Sequence, residues 1–305
     1  MPAGALGAVA VGAVALGTLS ACTGSPDTPQ PRAAGGGCDA PSVIAHRGET
    51  GDGHQLPENT AQAELTAAAE GATYLNLDVR WTADAVPVAL HDATVGRTTS
   101  ARDPDTAVTS LTATQYTQLN ARAYAGDTGQ GTIIGTAHPQ TLAQILAAVS
   151  RTDRPIIVQM EGDPYHLPGH PAQEFAGLAE VLARSPDAAR VIVAGQTLAD
   201  LAAFHADDPR APLAYLFETI GASGYPSPAR MKAAGARILY LDYRGVTAAR
   251  VAAWHRQGLK VWVWTPSSRT QWQRLRSDAV DAIATDWAQS YLDWALPSRP
   301  CGAQY

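Results

Sequence analysis

The chain has 305 residues, 46% of them hydrophobic, which is enough to build one large domain or two ordinary ones around a sizeable core and excludes a disordered or fibrous protein. Charged residues make up only 16% and the formal net charge is −6. No basic surface of the size that nucleic-acid binding requires is left over, so nucleic acid is not expected as a partner.

Residues 1–21 carry no charged side chain and run through Leu6, Val9, Val11, Val14 and Leu16 to Leu19-Ser20-Ala21-Cys22. This reads as an export signal. Its end resembles the lipobox of bacterial lipoproteins, in which a peptidase cuts before the Cys and the Cys carries the lipid. On that reading Cys22 is the lipidation site, and the mature protein is extracytoplasmic and anchored to the cell membrane. A transmembrane helix is the competing reading. A span needs about 20 strongly apolar residues, and Gly4, Gly7, Gly12, Gly17 and Thr18 dilute this stretch.

Residues 22–37 hold the lipidated Cys and a run of Pro, Gly, Ser, Thr and Ala that cannot repay the entropy of ordering, so they form a flexible linker. The globular domain is expected over residues 38–305. With Cys22 set aside, Cys38 and Cys301 stand at the two ends of that domain. In an oxidising compartment a disulfide between them is favoured over two free thiols, and a closed barrel, whose first and last strands meet, would bring them together.

Short apolar runs rich in Val and Ile then alternate with helical patterns, the rhythm of a parallel α/β domain. Strands are expected at 42–46, 74–79, 86–91, 155–161, 190–194, 212–217, 237–243, 260–265 and 282–285. Helices are expected at 60–70, 142–150, 171–183, 198–205, 228–234, 247–257 and 269–276. One chain of this length with no internal linker fits a (β/α)8 TIM barrel better than an open sheet. Nine strands are one too many, and the link from Val79 to Val86 is too short for a helical crossover, so the arrangement is irregular at one place.

Barrels of this kind do their chemistry at the carboxyl ends of the strands. Those ends carry His46-Arg47-Gly48, Asn76-Leu77-Asp78, His91-Asp92 and Gln159-Met160-Glu161. Period two puts Asn76 with Asp78, and Gln159 with Glu161, on one face of their strands. Two histidines, an arginine and several carboxyl or amide groups thus meet at one mouth.

Five motifs follow in order: His46-Arg47-Gly48, Pro57-Glu58-Asn59-Thr60, Asn76-Leu77-Asp78, Thr82-Ala83-Asp84-Ala85 and Val88-Ala89-Leu90-His91-Asp92. Gly258-Leu259-Lys260-Val261, Trp264-Thr265 and residues 280–286 continue the pattern. Over residues 42–287 the chain resembles the glycerophosphodiester phosphodiesterases, a family similar in fold to bacterial phosphatidylinositol phospholipase C. The resemblance implies a TIM barrel that hydrolyses a small phosphodiester to a phosphomonoester and an alcohol. It implies His46 and His91 as the general acid/base pair, Arg47 as a phosphate contact, and Glu58 and Asn59 as supports of the loop and of the first helix.

These residue types suit the reaction. A phosphodiester repels a nucleophile and has a poor alkoxide leaving group, so catalysis needs positive charge at the phosphate, a proton acceptor and a proton donor. Trp264, at a carboxyl strand end, is a candidate wall for the alcohol, with Tyr215, Phe217 and Tyr243 as further candidates. His138, His166 and His170 read as loop residues, because Pro164, Pro168 and Gly169 deny a helix there.

The resemblance also implies a divalent cation, Ca or Mg, held by a Glu and an Asp of the second strand and a Glu of the fourth. Asp78 is present, but Asn76 and Gln159 stand where the two Glu belong, and Glu161 stands at a Lys position. Hard cations prefer charged oxygen ligands, so a weak site is expected. Glu161 either restores one charge in a shifted site or pairs with a cationic side chain. The second function class is accordingly a catalytically silent or metal-independent barrel that binds phosphodiester or glycan-phosphate ligands at the cell surface, and the resemblance implies a third, an enzyme of related chemistry in which an Arg replaces the cation, as in some bacterial phosphatidylinositol phospholipases C. Nothing in the sequence sets an oligomeric state.

Overall fold

A computed structural model describes residues 40–161, 171–217 and 224–295. Cys22, Cys38 and Cys301, the export signal and the linker lie outside the described residues, as do His166 and His170.

The elements follow in chain order as β1 (Ser42–Ala45), α1 (Ala61–Glu70), β2 (Tyr74–Trp81), β3 (Pro87–Ala89), α2 (Ala113–Thr117), β4 (Ala121–Arg122), β5 (Ile133–Ile134), α3 (Leu142–Val149), β6 (Ile156–Met160) and α4 (Pro171–Arg184). They continue with β7 (Val191–Gly195), α5 (Leu198–Asp207), β8 (Leu213–Phe217), α6 (Pro228–Ala233), β9 (Ala236–Asp242), α7 (Ala248–Arg256), β10 (Lys260–Trp264), α8 (Arg269–Ser277), β11 (Ala282–Thr285) and α9 (Ala288–Ala295). Eight parallel strands close on themselves in the order β1-β2-β6-β7-β8-β9-β10-β11, because β1 pairs with both β2 and β11. This is the expected TIM barrel.

The surplus ninth strand is β3. β2 runs past its last pairing with β6, Val79 opposite Met160, and turns back at residues 82–86 to pair antiparallel with β3. The link was too short for a helix because it is a hairpin turn. In consequence His91 does not stand at the end of a barrel strand, as expected from the sequence. It descends into the mouth on the returning arm, with Leu90 N donating to Asp78 O at 2.9 Å.

Period two sorts the strand side chains. Leu75, Leu77, Val79 and Trp81 of β2 are fully buried against the helices, each worth about 1.5–3 kcal/mol of apolar burial. The alternate positions face inward, where Ile44, Tyr74, Ile157, Ile192, Ala214, Ile238, Tyr240 and Trp262 fill the barrel. Tyr74 and Trp262 meet there with ring centroids 5.0 Å apart. Two residues further along the strands the inward positions turn polar: His46 after Ile44, Asn76, Asp78 and Arg80 after Tyr74, Gln159 and Glu161 after Ile157, and Asp286 after Ala284. The fold thereby stacks a charged layer on an apolar plug at the C-terminal face.

Helix starts follow local chemistry. Thr60, Thr141, Thr197, Ser227, Thr247 and Ser268 are N-caps whose hydroxyls accept a first-turn N–H. Three elements have no counterpart in the sequence reading: α9, α2 and the β4–β5 hairpin. The last two belong to a long connection between β3 and α3, packed by Val88, Leu90, Val95, Val108 and Tyr116.

Candidate active site

The register of β1 on β11 sets Ala45 opposite Thr285, so the next residues, His46 and Asp286, stand side by side. Nδ1 of His46 lies 2.6 Å from Oδ1 of Asp286. The carboxylate carries no proton to give, so Nδ1 donates and Nε2 is left for proton transfer. Burial pushes the Asp286 carboxyl up, but His46, Arg47 and Tyr124 outweigh it and hold the group below the ordinary range.

Arg47 and Gly48 have φ of 60° and 89° and turn the chain sharply out of β1. Only glycine fits at 48, since a Cβ would come within 2.5 Å of the Ala63 Cβ on α1. The Arg47 guanidinium, enclosed at 4% exposure, meets three carboxylates: Asp78 Oδ2 at 2.9 Å from Nε, and Glu58 Oε1 and Asp127 Oδ1 at 3.3 and 3.0 Å from Nη1. Burial opposes its charge, but these carboxylates prevail and its pKa is raised.

Glu58 and Asn59 hold this layer together. Asn59 Nδ2 donates to Asp78 Oδ2 at 3.1 Å, and its Oδ1 accepts from the Asp78 N–H at 2.9 Å. Glu58 accepts from Arg97 through both oxygens, at 2.6 and 2.7 Å. Arg97 in turn grips Asp92, with Nε 2.5 Å from Oδ2, and Asp92 Oδ1 lies 2.8 Å from His91 Nδ1. Burial works against a charged His91, yet the Asp92 hydrogen bond, Asp78 and Glu161 overcome it, aided by none of the cations: the His91 pKa is raised above 6.5 although Arg47 repels it. Burial raises the Asp78 carboxyl, but Arg47, then His91, His46 and the Asn59 hydrogen bond, outweigh it and hold the group low.

On β6, Gln159 Nε2 donates to Glu161 Oε1 at 2.7 Å, and Gln196 Nε2 donates to Glu161 Oε2 at 3.1 Å. Arg80 Nη2 lies 3.6 Å from the same Oε2, and Arg80 Nε donates to the His91 carbonyl at 2.6 Å. Of the two roles open to Glu161, the geometry gives the ion pair with a cationic side chain. Burial and Asp78 push its carboxyl up to about 7.

The residues present do not fit a divalent cation. Asp78 Oδ2 is taken by Arg47 and Asn59, Asn76 Oδ1 faces the Arg47 N–H at 3.4 Å, Gln159 is turned to Glu161, and Glu161 faces Arg80. Asp78 Oδ1 is buried without a hydrogen-bond partner, but the two carboxylates are already balanced by two guanidinium groups and the other donors are neutral amides, so the charge of the layer does not suit a divalent ion. Among the described residues no three His, Cys, Asp or Glu side chains gather to hold a metal.

Trp264 is half-buried on top of the inward cluster at the end of β10. Tyr215 and Phe217 do not share that position. They point outward and form a ring contact at 6.0 Å on the helix side of the wall. Tyr243 also packs against that outer cluster. His138 is a loop residue whose Nδ1 meets Leu119 O at 2.7 Å.

The sequence reading brought together His46, Arg47, Glu58, Asn59, Asn76, Asp78, His91, Gln159 and Glu161, and the structure gathers them at one mouth. It missed Asp286, Asp92, Arg80, Arg97 and Asp127. Three carried a signal: Asp286 follows an expected strand, Asp92 adjoins His91, and Arg80 shares the period of Asn76 and Asp78. Arg97 and Asp127 come from the long connection after β3, where no periodicity points to the mouth.

The closed (β/α)8 barrel, whose C-terminal mouth carries two carboxylate-backed histidines and an enclosed arginine, is a TIM barrel. The chain belongs to the glycerophosphoryl diester phosphodiesterase family, whose model matches residues 46–289. It is 25% identical over 251 residues to a glycerophosphodiester phosphodiesterase of Caldanaerobacter subterraneus subsp. tengcongensis, covering 82% of this chain and 96% of the relative. Over 85 residues it is 46% identical to glycerophosphodiester phosphodiesterase 1 of Rattus norvegicus, a match to 28% of this chain and 24% of that relative's length. The fold is shared with an Oleispira antarctica phosphodiesterase solved in complex with the product sn-glycerol-3-phosphate, at a TM-score of 0.70 and 22% identity, covering 84% of this chain and 96% of that one.

Proposed function

We propose that the chain hydrolyses a small glycerophosphodiester to a phosphomonoester and an alcohol, with His46 and His91 as the general base and general acid. One observation carries this reading: each imidazole has its Nδ1 on its own carboxylate, at 2.6 and 2.8 Å, and both surround the Arg47–Asp78 pair at one mouth. Each Nε2 is left for a proton. His91, with its raised pKa, is the protonated partner, and His46 backed by Asp286 is the acceptor. In the overall reaction a water oxygen forms a bond to phosphorus and gives its proton to His46. The bond from phosphorus to the alcohol oxygen breaks, and that oxygen takes the His91 proton. Arg47 would offer charge to the phosphate, and half-buried Trp264 at the end of β10 would flank the alcohol.

Incubating the purified protein with glycerophosphodiesters and following phosphorus by NMR tests the reading. Appearance of a phosphomonoester with release of the alcohol supports it. Saturable binding of glycerophosphodiester without turnover would leave a silent binding barrel instead.

The order Leu19-Ser20-Ala21-Cys22 supports the further reading that the protein is exported and held at the membrane through lipid on Cys22. Among the described residues no helix is long and apolar enough to cross a membrane. Labelled lipid should enter the exported protein and be lost in Cys22→Ala. A bridge between Cys38 and Cys301 belongs to the same compartment argument, and mass spectrometry of the unreduced protein would read it as a single linked peptide pair.

A further inference from the structure

We propose that hydrolysis by this chain needs no divalent cation, because Arg80 brings to the phosphate, beside His91, the positive charge that a metal would supply. The inference rests on the phosphodiesterase reading above and specifies how that site handles its anion.

β2 presents Asn76, Asp78 and Arg80 in succession on its inward face, so the residue next above the retained carboxylate is a cation. Its position is fixed from two sides. Nε donates to the His91 carbonyl at 2.6 Å, which ties the guanidinium to the backbone of the proposed acid, and Nη2 stands 3.6 Å from Glu161 Oε2. Arg80 is 3% exposed. A charge in such surroundings acts on a bound anion with little screening by water.

The carboxylates that a cation would use are both engaged by guanidinium groups. Asp78 has Arg47 Nε at 2.9 Å and Glu161 has Arg80 Nη2 at 3.6 Å. A divalent ion could reach Asp78 through Oδ1, the one oxygen of that pair with no hydrogen-bond partner, but it would then lie beside both guanidinium groups as a like charge. The two amides, Asn76 and Gln159, add no negative charge to offset that repulsion. A phosphodiester meets the opposite situation, since it carries one negative charge and non-bridging oxygens that suit planar guanidinium donors. Arg47, just past the end of β1, and Arg80 on the neighbouring strand β2, with His46 and His91 next to them, form a layer built to receive it.

The test uses the purified full chain. Dialysis against chelator should leave kcat/KM for a glycerophosphodiester within about twofold of the untreated protein, and calorimetric titration with Ca or Mg should show no tight saturable binding. Arg80→Gln should lower kcat roughly 10²- to 10³-fold, as loss of a charge-stabilising donor does, with a much smaller change in KM. Added guanidinium ion should restore part of that loss, which a merely structural role for Arg80 would not allow, and Arg80→Lys should retain more activity than Arg80→Gln. Melting curves matching the unaltered protein establish that the variants are folded. Activity abolished by chelator and restored by Ca or Mg would overturn the proposal while leaving the phosphodiesterase reading intact. Full kcat in folded Arg80→Gln would also overturn it. A protein that hydrolyses no phosphodiester with or without added cation would remove the reading beneath it, and the proposal with that reading.

Discussion

Nδ1 of His46 sits 2.6 Å from Oδ1 of Asp286, although 240 residues separate them in the chain. Barrel closure makes them neighbours: β1 and β11 pair in parallel with Ala45 opposite Thr285, and one step further each strand delivers a side chain to the mouth. Asp286→Asn keeps the shape but can donate instead of accept, which stabilises the wrong imidazole tautomer. The expected outcome is a fall in kcat of about 10²-fold or more, with a melting temperature close to that of the unaltered protein.

If His91 is the general acid, as proposed, it should set the alkaline limb of the pH profile. Its protonated form is favoured by Asp92, Asp78 and Glu161 over the opposing effects of burial and Arg47. As the acid, it must hold its proton, so kcat/KM should fall only as pH rises through a value above the ordinary 6.5. Asp92→Asn removes the negative partner 2.8 Å away, so the same limb should move to lower pH. A limb that stays in place would assign it to another group.

Glu49 is fully enclosed just after the Arg47-Gly48 turn, and burial, with Glu70 and Asp52 adding repulsion, pushes its carboxyl up to about 8. The unfolded chain releases this proton near 4.5 and the folded chain keeps it to about 8. The folded state therefore binds more protons in that window, and its stability falls as pH rises from about 4.5 to 8, then levels. Glu49→Gln should flatten this part of the melting temperature against pH, measured from pH 5 to 9.

Ala85 closes the β2–β3 turn with φ of 57°, a left-handed backbone that disfavours any side chain. Ala85→Gly should relieve this and stabilise the protein by roughly 1 kcal/mol, less the entropy glycine gains in the unfolded chain. Denaturant unfolding measures the difference. A loss of stability would mean that the Ala85 methyl packs better than its backbone conformation costs.

The mouth was legible where a motif sits on a barrel strand. His46, Asn76, Asp78, Gln159 and Glu161 follow from period two and from the rule that chemistry lies at carboxyl strand ends. The hairpin was half legible, because the short link from Val79 to Val86 excluded a helix without saying which strand left the barrel. Partners were the least legible. Arg47 meets Asp127, and Arg97 meets Glu58 and Asp92, only because a long connection folds over the mouth, and no local pattern encodes a contact set by tertiary packing. Tyr215 and Phe217 were misplaced for a simpler reason: β8 is apolar on both faces, so its sequence does not say which face is inward, and their neighbours Ala214 and Leu216 point inward instead.

The central claim is that two histidines move the protons of phosphodiester hydrolysis at this mouth, and initial rates for His46→Ala and His91→Ala test it most directly. On purified, folded protein with a glycerophosphodiester substrate, each variant should lose turnover by roughly 10²- to 10⁴-fold, with melting temperatures nearly unchanged because both side chains stand at the mouth and not in the apolar core. A folded variant that turns over at the rate of the unaltered protein would contradict the role assigned to that histidine.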